Sequence, residues 1–262
     1  GSLSLGHTTP VLVACAAFAF TEGPWFAMPL LSAGIGLLVG ASSLLVLTSD
    51  LRISMAAPIT AGLAFVLVGS LVQTAGIAPE AAASLTIAIL VVVTLSAPWV
   101  AMAQLPVTVG ASDDENRIDP SKVSSRVANA HVLVIALKAG CSAAMVVLSV
   151  LMSTSSKAII LLACTGIALM LSTRSLRSRV EVLLGVLTGM ILTIVAAVST
   201  TAVIPVALPW TLGATILAAV LLLAANVVSQ KLRPWLTRLA DAIGIIALLA
   251  ILPLTALVWG IL

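Results

Sequence analysis

The sequence predicts an all-α fold, a polytopic transmembrane helical bundle of about nine spans, and three observations predict it. Of the 262 residues, 61% are hydrophobic and only 8% are charged, against about 25% charged in an ordinary soluble domain. So few polar groups cannot cover a water-facing surface, and with a mean hydropathy of +1.27 the solvent is lipid. Apolar runs recur, most of them near the roughly 20 residues that cross a bilayer as a helix. None alternates apolar with polar residues as a barrel strand would. Lipid satisfies no backbone group, so helices are what remain.

The spans follow in order. The first, Leu5–Thr21, is the weakest, because Pro10 interrupts it and its apolar core is short. Next come Phe26–Leu47, Ser54–Thr74 and Ala83–Leu105, then Ala130–Met152, Lys157–Leu171, Val180–Val198, Leu208–Val228 and Leu239–Leu262. The connections carry turn chemistry, as in Glu22-Gly23-Pro24 and Gly76-Ile77-Ala78-Pro79. Short connections make neighbouring helices antiparallel and leave no room for a soluble domain.

One long polar stretch divides the chain: residues 109–129, between spans one to four (1–108) and spans five to nine (130–262). It holds Asp113, Asp114, Glu115, Arg117, Asp119, Lys122 and Arg126. Each charge would cost about 2.5–3.5 kcal/mol at the centre of a membrane helix, so the stretch is an aqueous loop. Its acids precede its bases, which makes it a candidate partner-docking loop, since separate clusters complement a partner and fix its orientation; a solvated tether is the equal alternative. Pro120 prevents a helix from running through the middle, and 120–123 offers a helix start with Asp119 as its N-cap.

Loop parity orients the bundle. The loops after the second, fourth, sixth and eighth spans hold ten of the twelve Lys and Arg residues. By the positive-inside rule these loops, the polar stretch included, are cytoplasmic. Nine spans then put the N-terminus of this chain in the cytoplasm and its C-terminus outside. Trp25, Trp210 and Trp259 fall near the outer interface and Trp235 near the inner one, as belt residues do, while Trp99 lies inside the fourth span. The net charge of +3 belongs to the same bias, so no nucleic-acid partner is expected.

Chemistry-bearing residues are sparse. The clearest intramembrane charge is Lys138, about 12 Å into the fifth span at 1.5 Å per residue, with His131 on the same helical face. One reading pairs it with Glu181 or Asp241; the favoured reading is a lysine that snorkels its ammonium to the inner interface. Cys15, Cys141 and Cys164 sit in apolar runs and resemble buried small hydrophobes rather than disulfides or ligands. No nucleophile, metal or phosphate-loop motif appears, so catalytic residues, metal and cofactor are all expected to be none. Gly36/Gly40 and Gly185/Gly189 are Gly-x-x-x-Gly pairs inside apolar spans. Such spacing lets helix backbones approach, and packing within one chain is the expectation over a dimer face.

Several local patterns are familiar in combination. Ser96-Ala97-Pro98-Trp99-Val100-Ala101 leads through Gln104-Leu105-Pro106 into the polar stretch. A basic turn, Thr173 to Glu181, follows a short hairpin, and a basic loop, Lys231 to Arg238, opens a last helix that ends Leu252-Pro253-Leu254-Thr255-Ala256-Leu257-Val258-Trp259-Gly260. Together these resemble the EccD membrane subunit of the actinobacterial type VII (ESX) secretion system. The resemblance implies a structural subunit of an inner-membrane secretion complex that encloses a lipid-filled cavity. It further implies a second copy of itself and EccB, EccC and EccE as partners, with motor activity in the EccC ATPase and no enzyme activity here. The family's N-terminal ubiquitin-like domain and first two helices are expected to be absent from this chain, which keeps the parity derived above. The rival reading is a secondary transporter or permease for a small molecule, which needs polar groups at the midplane that are scarce here. A membrane enzyme acting on lipid would need an oriented acid and base, for which only Glu181 and Asp241 are at hand.

Overall fold

A computed structural model describes residues 2–47, 53–103, 120–173, 178–203 and 233–261. Among them every regular element is helical. The elements are α1 (Ser2–Ala19), α2 (Met28–Leu47), α3 (Ala56–Ala75), α4 (Pro79–Ala103), α5 (Pro120–Ser149), a 3-10 turn (Val150–Thr154), α6 (Ser156–Ser172), α7 (Arg179–Val203) and α8 (Arg233–Val258). Six are long and apolar enough to cross a membrane, and Thr8–Ala19 and Ser156–Ser172 are shorter apolar helices. The chain is therefore a multi-pass membrane protein. The expected span Leu208–Val228 lies outside the described residues, as do Asp113, Asp114, Glu115, Arg117 and the proposed N-cap Asp119.

Two boundaries differ from the sequence reading for physical reasons. Helix α1 runs unbroken through Pro10. That ring is fully buried, packed where a β-carbon on Gly40 would stand 2.7 Å from the Pro10 Cα. Helix α5 starts at Pro120, where the sequence offers a helix start, and so ten residues before the apolar span expected from Ala130. A hydrophobicity criterion finds the part of a helix that fits in lipid, not the polar turns that precede it. Residues 120–129 of the polar stretch, Lys122 and Arg126 among them, are thus helical.

Helix ends obey local chemistry. Ser155 caps α6, its side chain accepting from the Ala158 N–H at 3.4 Å. Pro79 opens α4, where a missing N–H costs nothing, and the Ala78 carbonyl accepts from Ala81 and Ala82, each at 3.0 Å. Gly260, at φ +72°, follows α8 in a left-handed turn. The Gly260 N–H reaches the Leu257 carbonyl at 3.3 Å and the Ile261 N–H reaches Ala256 at 3.1 Å. That pair of bonds is a Schellman motif.

The chain forms two compact units, Gly1–Gln73 with Ile89–Ala144, and Thr74–Ala88 with Met145–Leu262. In the first, α1 packs along α2, and Ala41, Met55, Leu44, Leu45 and Ile59 form a small core where α2 meets α3. Ala97 of α4 packs with Val134, Ala130 and Leu137 of α5. In the second, α6 lies against both α7 and α8. Buried hydroxyls satisfy themselves on their own helix: Thr165 donates to the Leu161 carbonyl at 2.8 Å and Thr188 to Leu184 at 2.7 Å.

Candidate functional site

What the described residues build is a set of close helix seams, two buried charges and wide exposed apolar faces. The glycines make the seams. A β-carbon on Gly36 would stand 2.9 Å from the Ala14 Cα, so Gly36 and Gly40 together let α1 lie backbone-to-backbone on α2. On the other side of α2, Gly34 and Gly62 of α3 face each other reciprocally, each too close to the other's carbonyl to carry a side chain. Gly166 of α6 and Gly189 of α7 repeat that arrangement, and Gly185 meets the Thr173 methyl. All four glycines of the Gly-x-x-x-Gly pairs thus face a helix of their own chain. The seams at Gly34–Gly62 and Gly166–Gly189 escape a motif search because their partners lie on different helices.

The charges lie where lipid cannot reach them. Lys138 is only 5% exposed and Glu181, in the first turn of α7, only 8%. Lys138 is thus enclosed by protein along most of its length, a placement that a paired charge and a lysine snorkelling its tip to the interface share. His131 and Asp241, by contrast, are exposed. Among the described residues no group of three His, Cys, Asp or Glu is placed to hold a metal ion.

The tryptophans divide in the same way. Trp25 meets Phe26 edge-on at a centroid distance of 6.2 Å, and Trp99 is 72% exposed on α4. Trp259 is tied into the protein: its Nε1–H donates to the Ala81 carbonyl at 2.9 Å. Next to it the Lys157 ammonium donates to the Leu257 carbonyl at 3.3 Å, and the Thr154 hydroxyl donates to Glu80 Oε2 at 3.0 Å. Nothing in the sequence marks these pairs, which lie far apart along the chain. Trp210 lies outside the described residues.

The remaining surface is aliphatic. Ile245, Ile246, Leu249 and Leu252 stand out from α8, and Leu183, Ile194 and Val198 from α7. Faces of this kind suit acyl chains or the apolar flank of another membrane protein.

Comparison with known proteins agrees with this architecture. A sequence model described as the EccD-like transmembrane domain matches residues 2–262. No curated protein matches the chain. The fold is similar to that of a chain in a solved structure titled "Structure of protomer 1 of the ESX-3 core complex", with a TM-score of 0.72 at 20% identity. The match covers 98% of this chain and 62% of that one, so the chain spans under two thirds of the length of the protein it matches.

Proposed function

The chain belongs to the EccD transmembrane-domain family, and from that premise we propose that it is a structural subunit of a type VII (ESX) secretion complex in the inner membrane. The observation that carries this is a family match running through the whole chain. It forms a helical scaffold around a lipid-filled cavity, with a second copy of itself and with EccB, EccC and EccE as partners. The exposed aliphatic faces of α7 and α8 supply what such a scaffold needs, contact with acyl chains and with neighbouring subunits. Catalysis is left to the EccC ATPase. In this arrangement the N-terminus of the chain and the polar stretch are cytoplasmic, the C-terminus is outside, and Asp113 to Arg126 dock a cytoplasmic partner.

Removal of the protein from its host tests the proposal. Secretion through one ESX system is expected to stop, the other membrane subunits to lose their high-mass assembly, and re-expression to restore both. Unchanged secretion and assembly would overturn it.

A further inference from the structure

Helix α8 is the least enclosed of the six membrane-length helices. Its buried stripe is narrow and made mostly of small residues: Gly244, Ala247, Ile251 and Thr255. At Gly244 the helix comes close to α6, where an added β-carbon would stand 3.3 Å from the Leu171 Cβ. Among its described side chains Ile246, Leu249 and Leu252 face outward, being 66%, 67% and 70% exposed. Packing area along that one stripe, mainly against α6, is therefore what fixes the position of this part of α8. Pro253 weakens the helix itself, because proline has no N–H to give the Leu249 carbonyl and favours a bend there.

The residues beyond Pro253 are held by a different kind of contact. Trp259 bonds to the Ala81 carbonyl at the start of α4. Lys157, in the first turn of α6, bonds to Leu257 in the last turn of α8. A cation is well placed there, since the unpaired carbonyls of a helix C-terminus carry partial negative charge. Thr154 and Glu80 join the approach to α6 to the start of α4. The Schellman turn at Gly260 then fixes the direction in which the chain leaves. Three segments distant in sequence are thus closed into a ring of hydrogen bonds at one end of the second unit.

We propose that this ring is a clasp: Trp259 and Lys157 lock the last turn of α8 across the beginnings of α4 and α6, and the lock sets the position of α8. The arm before Pro253 is then held by its small-residue stripe and by the clasped turn behind it. The proposal also accounts for Lys157, which is not among the ten basic residues of the basic-rich loops: its charge serves a helix terminus.

The test is a distance measurement in the full-length protein solubilised from its native membranes. Spin labels on cysteines replacing Ile160 of α6 and Leu252 of α8, both exposed, report the separation of the two helices once Cys15, Cys141 and Cys164 are replaced by alanine. The parent is expected to give one narrow distance distribution. Trp259→Phe, which keeps an aromatic ring and removes the N–H, is expected to broaden it and shift it to longer distances, and Lys157→Met to do so to a smaller degree. Trp25→Phe, outside the clasp, is expected to leave it unchanged. If Trp259→Phe fails to insert, Lys157→Met alone carries the test. A distribution as narrow as the parent's in every clasp variant that inserts would overturn the proposal, as would equal broadening by Trp25→Phe.

Discussion

The indole N–H of Trp259 and the carbonyl of Ala81 meet at 2.9 Å across 178 residues of sequence. A tryptophan in the interfacial belt ordinarily gives that proton to water or a lipid headgroup; here it closes a contact between the end of α8 and the start of α4. Trp259→Phe is therefore expected to lower stability by about 1 kcal/mol, the net worth of one hydrogen bond. Thermal unfolding of the detergent-solubilised protein measures this, with Trp25→Phe, whose ring stays exposed, as the comparison.

Substitution at the reciprocal glycine seams is expected to cost more. Gly34→Leu drives a side chain into the Gly62 carbonyl and Val66, and Gly189→Leu drives one into Gly166 and Met170. Overpacking costs about 1–3 kcal/mol where neighbours yield, and backbone yields poorly, so both variants are expected at or beyond the upper end of that range. Leu249→Ala, on an exposed face of α8, is expected to be close to neutral. Unfolding midpoints for the three variants check the ranking.

These seams show what the sequence makes legible. The span Phe26–Leu47 becomes α2 at Met28–Leu47, because hydrophobicity and length are what a bilayer selects. Gly36 and Gly40 stand out through their spacing on one helix. Gly34 and Gly62 do not, because their relationship exists only after two helices are aligned. The start of α5 at Pro120 is legible for a different reason: its first turns are polar, so the signal there is a proline suited to a helix start and not hydrophobicity. For Lys138 the sequence gives its depth along a helix but not the side it faces.

Lys138→Met removes a buried charge while keeping an unbranched chain. It is expected to cost about 0.5–3 kcal/mol, the common range for single substitutions, and to leave secretion intact, because a scaffold needs no proton relay. Secretion lost from a complex that still assembles would give Lys138 a role in transport.

Membrane orientation is checked by labelling single cysteines in intact cells with an impermeant maleimide, in a background without native cysteine. Cysteines replacing Arg52, Asp114, Arg177 and Arg233 are expected to stay protected, and a cysteine replacing Glu22 to label. The reverse pattern would invert the topology.

Replacing residues 113–117 with a Gly/Ser linker of equal length keeps α4 and α5 connected while removing Asp113, Asp114, Glu115 and Arg117. Loss of one cytoplasmic partner from an otherwise intact membrane complex is the expected outcome. Full retention of every partner would make the stretch a tether.

The most direct measurement is affinity purification of the tagged full-length protein from detergent-solubilised native membranes, with mass spectrometry of what accompanies it. The account predicts a high-mass complex containing EccB, EccC, EccE and more than one copy of this chain. A protein that purifies alone, and that takes up a small molecule when reconstituted by itself in vesicles, would contradict it.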